Sequence, residues 1–480
     1  MKKIFYLLSI LILSSCAKEE KEYAEITINL DNTDFIEVSN PLEDIYIWDI
    51  KNDTIYPNEK NEFLFKKEIE SPEYIIIKIG EKRLKSVLIP NAKIELAYID
   101  SSFVFKGKNK AGMNLLNEFK RPYFDVNESS KYQSDTTSFQ ITQKIKIQKD
   151  EELNKLQNLI DSTKIEKRFA KVLEDEINYF YALKTQQIIL GKQYQKIPIK
   201  KDLLELFNKT LENYPLDNEY KTSVWLDYAD NVLLQKPLYE LQADSSITRD
   251  SIQKWYKNDK WIPFQFDLIN KYQNPKIAEK VSANYIMNAS KQKHFEKSLI
   301  STFNNFKDIY PNSLYSNYLK PEIQIIEDYY RKISGEMPNG VEFIDGKNIS
   351  SMEKLLDKLQ GDNYYVDVWA TWCGPCKKEF QHNEDLNVLL KSKGYKKLYI
   401  SLDKAEIEDK WKQDIIYYDL NGLHMLASQE FFKHFAENYT LQKGYVSIPQ
   451  YLIIDENGNI VTHNAPRPSN LTELEKILTE

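Results

Sequence analysis

Cysteine is scarce in this chain: three residues among 480, at positions 16, 373 and 376. That excludes a secreted scaffold stapled by many disulfides. Histidine numbers five, spread along the chain, which leaves little material for a metal cluster. No hydrophobic run reaches the ~18 residues that a bilayer-spanning helix needs. An excess of one charge is lacking too. Against 65 Lys and Arg stand 72 Asp and Glu, for a formal net charge of -7. Such mild acidity excludes a strongly basic nucleic-acid binder and gives no electrostatic reason to expect phosphate-backbone contacts. What is present is ordinary globular material, 42% hydrophobic and 29% charged, enough to build real cores. At ~150 residues per domain, the length suggests about three domains.

The first fifteen residues stand apart. Lys2 and Lys3 form a short positive region, and residues 4–13 (IFYLLSILIL) an apolar one. Ten residues are too few to span a bilayer, so the stretch reads as a secretory signal. It ends Leu13-Ser14-Ser15-Cys16, which resembles a bacterial lipoprotein signal. The resemblance implies that residues 1–15 are removed and that Cys16 is acylated, the lipid serving as the membrane anchor. The competing reading is an ordinary cleaved signal with Cys16 as a free thiol. Removal takes away two lysines and no acid, moving the net charge from -7 to -9. Residues 16–23 would then be a lipidated, charged tether. Lys18-Glu19-Glu20 within it is similar to the Lys and two acids that follow the acylated cysteine in some surface-exported lipoproteins.

Three patterns follow. Over residues 24–106, AEITINL, IYIWDI, YIIIKI, SVLIP and KIELAYI are short runs rich in Ile, Tyr and Val, bounded by turn residues. They predict a β-sandwich-like domain or small barrel. Over residues 107–335 the period becomes helical. Phe169, Leu173, Ile177 and Phe180 recur at helical spacing, as do Leu153, Leu156 and Ile160. This predicts an irregular all-α domain of about seven to ten helices, with breaks near Pro198, Pro215, Pro237, Pro263, Pro275 and Pro311. Ser334 to Gly340 punctuates the chain, and residues 336–480 alternate strand and helix, predicting an α/β domain. The fold expected overall is multidomain α+β.

The chemistry sits where the first strand of that last domain, YYVDVWA, meets a helix: Trp372-Cys373-Gly374-Pro375-Cys376. At this spacing both sulfurs lie on one side of the first helical turn and can form a disulfide. Cys373, at the helix start, faces free backbone N–H groups and the positive end of the helix dipole, and both stabilise a thiolate. Cys376 is one turn further in and expected to be shielded. Pro375 is tolerated in the first turn, where its missing N–H matters little. Zinc would need about four ligands, and one CxxC cannot supply them. A staple across a two-residue gap removes little chain entropy. A peroxidatic cysteine wants an upstream Thr where this chain has Ala370.

VDVWATWCGPCKKEF resembles the active-site segment of thioredoxin-fold proteins, and SIPQYLIIDENGNIV their later cis-proline strand and hairpin. The wider layout is similar to the TlpA/ResA-like thiol-disulfide oxidoreductases, in which further domains precede a thioredoxin-like domain. The resemblance implies Cys373 and Cys376 as the redox pair, with no cofactor beyond their disulfide and no metal. It implies Asp367 as the buried carboxylate that takes the Cys376 proton, Asp367 otherwise being a structural strand residue. Glu379 corresponds to a glutamate placed near the thiols, or is a plain helix-surface residue. Pro449 corresponds to the cis-proline, leaving the main chain of Ile448 to pair with a substrate strand. Trp372 is expected as an exposed contact surface and Trp369 as core, with Thr371 only shaping the loop. One departure stands out: the place of the lysine that usually accompanies the buried Asp holds Tyr399. His382, His424, His434 and His463 are assigned surface or core roles.

These implications describe an envelope enzyme that reduces disulfides of partner proteins. It would be lipid-anchored, with the periplasmic face of the outer membrane expected and the cell surface also open. An oxidising compartment then requires a membrane thiol electron donor. The rival reading is a client- or envelope-binding lipoprotein in which the dithiol is an accessory redox sensor.

Overall fold

The computed structural model describes residues 22–30, 33–42, 52–100, 102–119, 121, 124–217, 222–359, 361–440, 444 and 446–479. The signal segment, Cys16, most of the tether and the run IYIWDI lie outside the described residues. The chain forms two compact units, Met1–Ile252 with Asp267–Asn284, and Gln253–Phe266 with Tyr285–Glu480.

The first unit opens with eight strands: β1 (Tyr23–Asn29), β2 (Ile36–Ser39), β3 (Asn52–Ile55), β4 (Glu62–Glu68), β5 (Glu73–Ile79), β6 (Lys82–Leu88), β7 (Lys93–Ile99) and β8 (Ser102–Gly107). They make two four-stranded sheets, ordered β4-β1-β7-β8 and β3-β2-β5-β6. All pairs are antiparallel except β1 with β7. The alternation seen in AEITINL is a physical face: Ala24, Ile26 and Ile28 are buried.

Helices follow: α1 (Lys110–Glu118), α2 (Val126–Ser130), α3 (Ser138–Asp161), α4 (Lys167–Tyr194), α5 (Lys201–Asn213), α6 (Trp225–Asp230), α7 (Lys236–Ala243), α8 (Arg249–Lys257), α9 (Trp261–Ile269), α10 (Pro275–Lys291), α11 (Ser298–Ile309) and α12 (Tyr315–Ile333). A capping box between Thr137 and Gln140 starts α3. Phe169, Leu173 and Ile177 line the buried stripe of α4. Twelve α-helices among the described residues exceed the seven to ten expected, because turns of five or six residues leave no periodic signal. Pro237 breaks nothing. It sits in the first turn of α7, directly after a π-helical stretch at Asn231–Gln235. Among the described residues no helix is long and apolar enough to cross a membrane.

The second unit includes α11, α12 and the α/β segment. That segment runs β9 (Val341–Ile344), α13 (Met352–Leu359), β10 (Asn363–Trp369), α14 (Gly374–Glu379), α15 (Asn383–Lys393), β11 (Tyr395–Ser401), α16 (Glu408–Tyr418), β12 (Gly422–Leu426), α17 (Gln429–Asn438), β13 (Gln450–Ile454), β14 (Ile460–Thr462) and α18 (Leu471–Ile477). The sheet order is β14-β13-β10-β11-β12-β9. β10, β11, β12 and β9 run parallel, while β13 is antiparallel to both β10 and β14. One face packs Val366, Val368, Leu398, Ile400, Leu452 and Ile454 against α13 and α17. The other divides between a cluster around the two cysteines and one beside α15 and α18. The central strand β10 is buried on both faces from Tyr364 to Trp369, which is why that run is continuously apolar or aromatic apart from Asp367.

The sheet's far edge depends on two glycines. Gly422 has φ +136°, and a Cβ there would lie 2.9 Å from the Lys397 carbonyl oxygen. Gly346 admits β12 so closely that a Cβ would run into the Leu426 carbonyl. Gly422→Ala is therefore expected to cost about 1–3 kcal/mol. Urea unfolding followed by tryptophan fluorescence checks this; an unchanged midpoint would refute the close approach.

Candidate active site

The last residue of β10 is Trp369, and Cys373 is already the N-cap of α14. The turn between them is clamped from below. Thr371 donates its N–H (2.8 Å) and hydroxyl (2.9 Å) to Asp403, which also accepts from Ser401 Oγ at 2.8 Å. Thr371 thus ties the cysteine loop to the end of β11. Cys373 Sγ accepts the Cys376 N–H at 3.1 Å, and the Lys377 N–H reaches the Cys373 carbonyl at 3.2 Å.

Cys373 and Cys376 are joined as a disulfide with Cα atoms 5.3 Å apart. Cys376 is fully buried, as its place one turn into the helix implies, and Cys373 is nearly as enclosed at 3% exposed. Both belong to a cluster with Trp369, Ala370, Phe380, Tyr399, Trp411 and Ile415, and Ile448 packs against it half-buried. Trp372 is the surface residue of the motif, 57% exposed, while Trp369 is fully buried. The Ile448–Pro449 peptide bond is cis.

Asp367 is buried one pleat before Trp369 on the same face, in register with Tyr399 on β11 and Tyr451 on β13. Burial pushes its carboxyl up to about 8, Lys397 pulls it down, and Glu379 pushes it up. The departure noted at Tyr399 is thereby resolved. Tyr399 does stand opposite Asp367, but Lys397 lies one pleat away on that face and supplies the cation. Burial in turn lowers the Lys397 ammonium to about 7, with Asp367 pulling it back up.

Glu379 is buried, not on the helix surface. It accepts from Ser469 N (3.0 Å) and Oγ (3.2 Å), with Arg467 Nη1 at 3.9 Å. Its carboxylate is thus anchored to the loop before α18 and acts on Asp367 through space. His424 is core: its ring stacks on Tyr399 at 4.7 Å, Nε2 lies 2.7 Å from the Leu420 carbonyl, and burial lowers it to about 4. His434 pairs with Glu353 at 3.3 Å. Among the described residues no group of three or more His, Cys, Asp or Glu side chains is placed to hold a metal.

Lys397 and Asp403 are the two site residues that sequence reasoning missed. The alternation Lys397, Tyr399, Ser401 along β11 carried the signal for the first. The second lies just past the strand end, where nothing local marks a clamp.

Comparison with known proteins adds the following. Residues 336–478 match the Redoxin family model. The thiol-disulfide oxidoreductase ResA of Bacillus cereus is 27% identical over 151 residues, covering 31% of this chain and 75% of that protein. ResA of Oceanobacillus iheyensis is 40% identical over 52 residues, 11% of this chain and 27% of that one. Among solved structures, the thioredoxin domain of a Bacteroides vulgatus thiol-disulfide oxidoreductase is 24% identical, covers 26% of this chain and 81% of that one, and has a TM-score of 0.22. A thiol:disulfide interchange protein from Bacteroides sp. is 24% identical with 26% and 78% coverage and a TM-score of 0.23. The dithiol, the strand beneath it and the hairpin that follows all fall inside the matched residues, and over residues 336–478 this chain is a TlpA/ResA-like thiol-disulfide oxidoreductase of the redoxin family.

Proposed function

We propose that the chain reduces disulfides of partner proteins in the cell envelope through Cys373 and Cys376. The observation that carries this reading is a disulfide at a strand-to-helix turn with a buried, proton-holding carboxyl on the strand beneath it. In the dithiol form, Cys373 as thiolate attacks one sulfur of a partner disulfide. One S–S bond forms, one breaks, and a partner thiolate leaves. Asp367, as carboxylate, takes the proton from Cys376. The Cys376 thiolate then attacks Cys373, forming the intramolecular disulfide and releasing the second partner thiol. Two electrons pass to the partner. Glu379 keeps the Asp367 proton affinity high. Trp372 and the main chain at Ile448-Pro449 form the partner-contacting surface.

Regeneration needs two electrons from a thiol donor, which in an oxidising envelope means a membrane thiol carrier. Acylation of Cys16 would anchor the protein to a membrane, most simply on the periplasmic side of the outer membrane.

Cys376→Ser in the full chain is expected to accumulate mixed disulfides between Cys373 and envelope proteins. Non-reducing gels followed by mass spectrometry read this out, and absence of any adduct would count against protein substrates.

Asp367→Asn tests the proton acceptor. In the wild type the resolving step should quicken as pH rises through about 8; the variant should be slower by about 100-fold and lose that pH dependence. Equal slowing of attack and resolution would remove Asp367 from the role. Stability carries a matching sign. The folded chain holds the Asp367 proton up to about pH 8, whereas the unfolded chain releases it near pH ~4. Stability is therefore lost as pH rises between those values, and Asp367→Asn should be the more stable form at pH 7, by at most about 4 kcal/mol.

A further inference from the structure

Lys377 follows Cys376 directly and should by sequence be a solvated helix lysine. Its side chain is instead 1% exposed. The ammonium lies 3.0 Å from Asp414 Oδ2 on α16 and donates to the Lys293 carbonyl at 2.9 Å. Asp414, itself fully buried, is also reached by Lys410 at 3.0 Å and by the Tyr329 hydroxyl at 3.0 Å. Lys410 donates to that same hydroxyl at 2.7 Å. Phe295 completes the enclosure. Its ring stacks on Tyr329 at 4.3 Å, with the ammonium groups of Lys377 and Lys410 at 5.3 and 5.1 Å from its centre. Tyr330 fixes the loop by donating to the Phe295 carbonyl at 2.8 Å. Lys293 and Phe295 both hold left-handed backbone, φ 55° and 58°, a conformation that side-chain-bearing residues rarely keep without tertiary support.

Lys293, Phe295 and Tyr329 all precede residue 336, where the redoxin match begins. Yet they are built into the helix that carries Cys376. The coupling runs through α16 as well, since Trp411 and Ile415, which flank Asp414, pack in the cluster with the two cysteines. We propose that Lys293, Phe295 and Tyr329 are positioning residues for the dithiol, acting through the buried Lys377–Asp414–Lys410 cluster to favour the reduced form. This rests on the redox reading of Cys373 and Cys376.

Two physical reasons give the direction. With two basic side chains to one carboxylate, the cluster's charge balance leans positive beside the cysteine helix, burial lowering Lys410 and Asp414 raising it. That charge favours a thiolate, which exists only in the reduced state. Reduction also removes the covalent tie across the first turn of α14. The turn then relies on non-covalent contacts, among which the Lys377 tether is fully buried and doubly held.

The test is the equilibrium of the full chain with glutathione, in which the Cys373–Cys376 disulfide and two glutathione thiols yield the dithiol and one glutathione disulfide. Tyr329→Phe and Lys410→Met are each expected to move it toward the protein disulfide by about fivefold or more. The pH profile of Cys373 alkylation should move upward in Lys410→Met. A merely structural cluster would destabilise both redox forms equally and leave the equilibrium where it was. An unmoved equilibrium in both variants therefore overturns the inference while leaving the redox reading intact. Failure of the wild-type chain to equilibrate with glutathione would overturn both.

Discussion

A carboxyl group buried with too few donors is the constraint around which the C-terminal unit is arranged. Asp367 sits on the central strand of a six-stranded sheet, flanked along that strand by Val366 and Val368 and across it by Tyr399 and Tyr451, with Lys397 the nearby cation. Water is excluded, so the charged form is penalised and the group holds a proton into the neutral range. Such a group has little structural merit; an apolar residue there would pack as well and avoid the penalty. In the proposed reaction its use is chemical. A proton acceptor directly beneath a dithiol must be poised near the pH at which thiols ionise, and burial poises it.

The sulfur pair is poised by a different device. A buried strand, a clamped turn and a helix start bring Cys373 to an N-cap where its sulfur takes a backbone N–H. The clamp matters as much as the cap. Asp403, fed by Thr371 and Ser401, fixes the path of the chain between Trp369 and Cys373, so the sulfur's position does not depend on the sulfur's own bond. Chemistry that makes and breaks the bond can then proceed on a turn that stays in place.

Much of this was legible in the sequence, and the limits are instructive. β10 declared itself as a continuous apolar run ending in the cysteine motif, and its parallel neighbour β11 did likewise. β9 and β12 did not: four and five residues with exposed or half-buried positions give no period to detect. The motif's thiols and Asp367 were readable because they lie within ten residues on one strand-turn-helix. Lys397 and Asp403 act across strands, and register is invisible until strands are paired. The burial of Lys377 was the least readable of all, since its partners lie 84 residues upstream at Lys293 and 37 residues downstream at Asp414.

Two buried acids lie by the redox helix, Asp367 on β10 and Glu379 at the end of α14 itself, and their surroundings differ. Glu379 receives two hydrogen bonds from Ser469 and has Arg467 nearby, so its carboxyl group is held in place by the protein. Asp367 has one oxygen without a donor among the described residues, and its cation Lys397 is itself pressed toward the neutral form. A carboxylate held by donors keeps its charge and makes a poor carrier; one left short of them exchanges its proton. In the proposed reaction Glu379, anchored by its donors, raises the proton affinity of its neighbour, and Asp367, short of donors, is the group that passes a proton to and from Cys376.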